Sequence, residues 1–168
     1  GKSVVILDLD MRKPKIHKGF DVHNDLGMST MLIGKHSLED CIRHSELEGL
    51  DYITAGPIPP NPSELIISSR MKEILAEAKL KYDIVVIDNP PVGLVTDGVA
   101  SIKMADFPIY IFRADYSKKH FVQNVDRLIN ENGISKLSVI LNSVDVERNK
   151  YGAYYGYGYG YGYGYAYG

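Results

Sequence analysis

Three carboxylates stand where short apolar runs give out. Val4-Val5-Ile6-Leu7 is followed by Asp8-Leu9-Asp10-Met11-Arg12, and Ile84-Val85-Val86-Ile87 by Asp88-Asn89-Pro90-Pro91. In an open parallel sheet, ligands bind beyond the carboxyl ends of the strands, so an aspartate there is placed for chemistry. Strand alternation puts Asp8 and Asp10 on one side. They are then close enough to share a hydrated metal ion, or to divide into a proton acceptor and a metal ligand. A solvated strand end, where aspartate is common, is the plainer reading of that pair. Asp88 closes its apolar strand in the manner of a Walker B motif, whose carboxylate lies beside the Mg2+ of a nucleoside triphosphate. Pro90 and Pro91 stop that strand at once.

These carboxylates need a sheet to hold them. Four β-branched runs recur between helical stretches: Val4 to Leu7, Tyr82 to Ile87, Pro108 to Phe112 and Leu137 to Leu141, with Leu50 to Thr54 a weaker fifth. Runs apolar on both alternating faces suit parallel strands covered by helices on each side. Ser63 is expected to cap a helix running to about Lys79, with Ile66, Ile67, Ile74 and Leu75 as its stripe. Ser117 is expected to cap another that ends before Gly133, and shorter helices should follow Gly27 and Ser37. Strand alternating with helix predicts an α/β fold with a mostly parallel sheet flanked by helices.

The rest of the composition narrows the class. The chain has 168 residues with 19 Lys+Arg against 21 Asp+Glu, a net charge of -2 that argues against a nucleic-acid module with a basic surface. The lone Cys41 excludes an internal disulfide and reads as a buried thiol. His17, His23, His36, His44 and His120 lack metal-ligand spacing. No run is long enough to span a bilayer and no signal peptide opens the chain, so a cytoplasmic protein is expected. After Lys150 the composition changes abruptly: the last eighteen residues hold nine Tyr, seven Gly and two Ala. Residues 1–150 therefore read as one domain and 151–168 as a flexible tail. A P-loop should accompany a Walker B strand. Gly1-Lys2-Ser3 spells the end of one, but a strand follows where a P-loop opens a helix, and Gly34-Lys35-His36-Ser37 lacks the upstream glycine.

The combination resembles bacterial tyrosine kinases of the capsular exopolysaccharide type over essentially the whole chain. The residues that carry the likeness are Asp8-Leu9-Asp10-Met11-Arg12-Lys13-Pro14 with His17 and Phe20, and Gly56-Pro57-Ile58-Pro59-Pro60-Asn61-Pro62-Ser63-Glu64-Leu65. To these are added Asp83 to Pro91 with Thr96-Asp97, Leu141-Asn142-Ser143-Val144-Asp145, and the tyrosine-rich end. The resemblance implies a P-loop ATPase core of the MinD/ParA kind that lacks its P-loop strand and helix, ATP and Mg2+ as cofactors, and phosphorylation in trans of the terminal tyrosines within a ring-shaped homo-oligomer. It implies that Asp8 and Asp10 are the Walker A′ aspartates, Asp8 accepting the tyrosine hydroxyl proton, and that Asp10 and Asp88 hold hydrated Mg2+. Arg12 either pairs with phosphate, fixes Asp10 or is a surface arginine. Asn142 and Asp145 either border the base or form a strand-end turn. The acceptors would be Tyr151, Tyr154, Tyr155, Tyr157, Tyr159, Tyr161, Tyr163, Tyr165 and Tyr167.

The resemblance further implies regulation of surface-polysaccharide export or polymerisation, an opposing tyrosine phosphatase, and recruitment to the inner face of the plasma membrane by a membrane-bound activator or polysaccharide co-polymerase protein. Lys15 stands where single-polypeptide kinases often have a regulatory tyrosine, so the split type with a separate activator is the closer match. The Walker A segment of the family is not found in these residues, and the chain by itself is expected to bind ATP poorly and to fold poorly. Two rivals belong to other classes: a non-catalytic substrate or scaffold subunit, and a MinD/ParA-like partition ATPase, whose task needs no terminal tyrosines.

Overall fold

The computed structural model describes residues 1–91, 97–118, 120–134 and 136–145. Strand β1 (Val4–Asp8) lies inside a four-stranded sheet of order β2-β3-β1-β4. Strands β3 (Leu50–Ile53) and β4 (Ile84–Asp88) flank it in parallel, and β2 (Arg43–His44) pairs antiparallel with β3. The register sets Val4 opposite both Leu50 and Ile84, and Asp8 opposite Asp88. Strands β5 (Ile109–Arg113) and β6 (Ser138–Asn142) form a separate parallel pair. The expected strands are thus present, but in two sheets.

Two short helices, α1 (Ile16–Gly19) and α2 (Met28–Leu32), follow β1, and α3 (Leu38–Cys41) leads into β2. Every residue of α2 is buried, which requires backbones to approach closely. The Met28 and Ser29 amides donate to the carbonyls of Thr54 and Ala55, both at 2.8 Å. A Cβ on Gly27 would lie 2.0 Å from the Thr54 carbonyl oxygen, so only glycine fits. Asn24 clamps the same junction, accepting from the Gly56 amide at 2.9 Å and donating to the Gly56 carbonyl at 2.7 Å. Helix α3 carries a capping box: Ser37 Oγ accepts from the Asp40 amide while the Asp40 carboxylate accepts from the Ser37 amide.

The helix expected from Ser63 to Lys79 is two helices, α4 (Pro62–Ile66) and α5 (Ser69–Lys81). Pro62, with φ preset for a first turn, starts α4, so Asn61 and not Ser63 holds the cap position, two residues earlier than expected. The break lies at Ser68, whose hydroxyl donates to the Leu65 carbonyl at 2.7 Å and caps the Met71 amide at 3.3 Å, a side-chain alternative to continuing the ladder. Helices α6 (Asp97–Met104) and α7 (His120–Asn132) complete the order. Ser117 lies ahead of α7, its hydroxyl accepting from the Arg113 amide at 2.9 Å. At the other end Gly133 has φ +64°, and the Ile134 amide reaches back to the Ile129 carbonyl at 3.2 Å, a Schellman closure.

The core gathers Val5, Leu7 and Ile53 of the sheet with Met28 and Met31 of α2 and Met71, Ile74 and Ala78 of α5. Each large apolar side chain buried there contributes on the order of 1.5–3 kcal/mol. Cys41 is buried in it as a thiol, 2% exposed. In β1 Val5 and Leu7 are buried and Val4 and Ile6 half-buried, and other strands are more open. Ile84 and Val86 are 46% and 44% exposed, Ile109 and Ile111 55% and 61%, and β6 is exposed throughout. Among the described residues no helix is long and apolar enough to cross a membrane.

Candidate active site

Gly1-Lys2-Ser3 runs into β1 rather than into a helix, and its polar atoms serve the start of β4. Lys2 Nζ lies 3.2 Å from Asp83, and the Ser3 amide and hydroxyl donate to the Asp83 carboxylate at 2.9 and 3.1 Å. These contacts set β1 and β4 side by side at their first residues. Five residues on, the same register delivers Asp8 and Asp88 together at the carboxyl ends.

β1 stops at Asp8, and the chain then turns. The Leu9 amide donates to the Asp88 carbonyl at 2.8 Å, and the Asp10 amide turns back to the Asp8 carboxylate at 3.0 Å. Asp10 in turn accepts from the Lys13 amide at 3.1 Å, an Asx-type turn that fixes the loop. Leu9 and Met11 anchor it in the core, each 1% exposed. Val5, Leu7, Leu9 and Met11 thus keep to one buried face, while on the other face Asp8 is buried and Val4, Ile6 and Asp10 are only partly so.

Asp8 is inaccessible to solvent, and its carboxyl is pushed up to about 6. Burial is the main cause and the charges of Asp88 and Asp10 add to it, while the Asp10 amide and, more weakly, the Ile16 amide oppose it. The Asp88 carboxyl also moves up, through desolvation and then the charge of Asp10. Two buried oxygens here, Asp8 Oδ2 and Asn89 Oδ1, have no hydrogen-bond partner among the described residues. Orphaned acceptors beside mutually repelling carboxylates fit a site for a hydrated hard cation. No three His, Cys, Asp or Glu side chains among the described residues converge as a metal cage. Mg2+ is ordinarily held by one or two carboxylates, with waters and phosphate oxygens completing its shell, so the residues fit that ion.

Arg12 is exposed and donates from Nη2 to Ser63 Oγ at 2.9 Å, tying the aspartate loop to the first turn of α4. Sequence reasoning read Ser63 as a helix cap. Its role as partner of Arg12 depends on a contact fifty-one residues apart, which no local pattern announces. Asn142 and Asp145 lie in the other sheet region. Asn142 ends β6 opposite Arg113 and accepts from the Ser143 amide at 2.8 Å, with Ser143 at φ +59°. That is a strand-end turn, and Asp145 borders the cleft between it and α7. Thr96 and all nine tail tyrosines lie outside the described residues.

No family model matches the chain. Among curated proteins it is similar to the tyrosine-protein kinase CapB of Staphylococcus aureus, with 38% identity over 93% of this chain and 69% of that protein. It is also similar to the tyrosine-protein kinase YwqD of Bacillus subtilis, with 33% identity over 93% of this chain and 66% of YwqD. It spans only 21% of a longer relative from Klebsiella pneumoniae. Among solved structures, the chimerical protein CapA2B2 superposes with a TM-score of 0.80 at 38% identity, covering 86% of this chain and 64% of that one. The kinase domain of the Escherichia coli tyrosine kinase ETK gives 0.80 at 34%, covering 96% and 62%. MinD of Aquifex aeolicus, 20% identical with a TM-score of 0.68 over 91% of this chain and 61% of its own, shares the fold alone. With CapB matched across more than two thirds of its length, the chain belongs to the bacterial tyrosine-protein kinase family.

Proposed function

We propose that this chain carries the carboxylate half of a protein-tyrosine kinase site that phosphorylates its own terminal tyrosines, Tyr151 to Tyr167. The observation that carries the reading is Asp8: a buried carboxyl, raised to about 6, at the carboxyl end of β1 beside Asp88. A general base works best when its pKa lies near the working pH, and at pH 7 Asp8 is mostly ionised yet still basic enough to take a phenolic proton as the oxygen attacks. Asp10 and Asp88 are the residues that would hold hydrated Mg2+, and Asn89 Oδ1 is a further oxygen facing no partner. Mg-ATP, when bound, supplies the phosphoryl group and the cation that neutralises its charge. Arg12, held by Ser63, keeps the loop bearing Asp10 in place. The phosphate cradle is a separate requirement that Gly1-Lys2-Ser3 does not meet, since those residues enter a strand. Asn142 and Asp145 are assigned to the border of the base.

The same reading places the protein in regulation of capsular or extracellular polysaccharide synthesis. It would work as a homo-oligomeric ring with a membrane-bound activator that recruits it to the membrane, opposed by a phosphatase. What supports an activator and the split type is that the chain matches CapB and YwqD over 69% and 66% of their lengths. Phosphotransfer by the full-length gene product tests the assignment. Asp8→Asn should lower tail phosphorylation by roughly 10²–10⁴ while leaving Mg-ATP affinity within a few fold, since only the proton acceptor is removed. Asp88→Asn should instead weaken Mg2+-dependent nucleotide binding. Equal loss of affinity in both variants would move Asp8 from the phenol to the metal.

A further inference from the structure

The cleft between α7 and the β5–β6 pair is lined by none of Asp8, Asp10, Arg12 and Asp88, and of the residues assigned to the kinase site it includes Asp145 at its edge. It encloses about 1030 Å³. Its walls are Phe112, Val139 and Leu141 of the sheet, which share one face by register, and Val122, Val125 and Ile129 of α7. Val139, Leu141 and Val122 remain 54%, 59% and 53% exposed, so the apolar walls stand apart rather than closing on each other. Among the described residues the lining also carries charged groups of both signs, Asp115, Asp126 and Asp145 with Arg113 and Lys118.

Asp145 is both a lining residue and the last residue described. Only five residues separate it from Tyr151, where nine tyrosines begin. Extended chain advances about 3.3–3.6 Å per residue, so the first tyrosines are within reach of a cleft that starts at their own tether. We infer that this cleft is a docking site for tyrosine rings of the chain's own segment 151–168. The chemistry matches: a tyrosine offers a broad apolar ring with a hydroxyl at its tip, suited to an apolar trough with a polar mouth. Glycine at alternate positions lets the backbone follow the trough without side-chain clash. A tether this short gives an effective concentration in the millimolar range, enough to fill a site too weak to hold free tyrosine. The apolar walls accept an uncharged phenol and disfavour a phosphorylated one, whose nearly two negative charges would have to be stripped of water to enter. Docking itself is independent of the kinase reading. Only the effect of phosphate rests on it: a tyrosine phosphorylated while out of the cleft would not return to it.

The test uses the full 168-residue chain without nucleotide, beside a full-length variant with the nine tail tyrosines replaced by serine, a change that touches none of the described residues. In the unchanged chain, tail ring protons should give cross-relaxation to the methyl groups of Val125, Ile129, Val139 and Leu141. In the variant these signals should vanish, and the β5–β6 amides should exchange roughly threefold faster. A Tyr-Gly-Tyr-Gly-Tyr peptide added at millimolar concentration should reverse both effects, and its phosphotyrosine counterpart should not. Identical spectra and exchange in the two chains would overturn the proposal. So would cross-relaxation that fades on dilution, which assigns the ring to a second copy, or equal rescue by both peptides, which removes the charge argument.

Discussion

Strands β1 and β5 are both apolar runs ending in a charge, β1 aliphatic and β5 aliphatic and aromatic by turns, and their surroundings could hardly differ more. Val5 and Leu7 of β1 are sealed from solvent, whereas Ile109 and Ile111 of β5 are more than half exposed. An apolar run of this kind encodes a strand and a demand for cover. It does not encode which element provides the cover. β1 is covered because β3, β4, α2 and α5 meet around it, and β5 has α7 on one face only. The difference reaches the chemistry. The aspartate ending the sealed strand loses its water and becomes a weak acid near neutral pH, while the asparagine ending the open pair makes a local turn.

Gly27→Ala should separate the two regions most sharply. The new methyl would overlap the Thr54 carbonyl oxygen and the Gly56 amide, both backbone atoms, so β3 and α2 must part. A loss of more than about 4 kcal/mol, or no folding at all, is expected. Chemical denaturation decides: a loss below about 1 kcal/mol would mean that this junction yields. Leu7→Ala against Ile111→Ala asks the same question of side chains. Leu7 should cost about 2–5 kcal/mol through the cavity it leaves, and Ile111 under about 1 kcal/mol because water already reaches it. Equal costs would show that the β5 face is covered in solution.

The buried carboxylate gives the third contrast. Asp8 holds its proton more tightly folded than unfolded, with a native pKa of about 6 against 3.8. Its contribution to stability is therefore fully present below about pH 4 and is lost as pH rises through 6. Asp8→Asn keeps an acceptor for the Asp10 amide and removes the charge. At pH 8 the variant should be the more stable by on the order of 1–3 kcal/mol, and at pH 4 nearly equal to the unchanged chain. Urea unfolding at both values checks this, and a gap independent of pH would place the gain elsewhere.

Much of this was legible in particular residues. Apolar runs announced β1, β4, β5 and β6, Gly133 announced the end of α7, and Ser37 announced α3, since each is a local signal. Helix α1 and strand β2 were not announced, because four residues and two residues are too few to show a period. Asp8, Asp10 and Asp88 were singled out by type and position. Their inequality was not, because Asp8 is fully buried and Asp10, two residues on, is not, a difference set by contacts with the loop after β1 and with β4 across the sheet. Asn24, Gly27 and Gly56 were invisible as a unit for the same reason: their contacts are made across the sheet.

The smallest expected effect bears on whether the two regions unfold as one. Gly133 sits at φ +64° with open space around the position of a Cβ, so alanine there meets no atom and is penalised only by its backbone. That penalty is about 1 kcal/mol, and asparagine, which tolerates the left-handed region, should recover part of it. The cost falls on the Schellman closure of α7, in the open region. If β5, β6 and α7 form a unit of their own, exchange of α7 amides should accelerate about fivefold while the amides of β1 and β3 stay unchanged. If the chain is a single cooperative unit, the same loss should appear at every amide that opens only by global unfolding, β1 included. The division of the described strands into two sheets favours the first outcome, because no strand pairing among them would then carry a disturbance in α7 to Leu7.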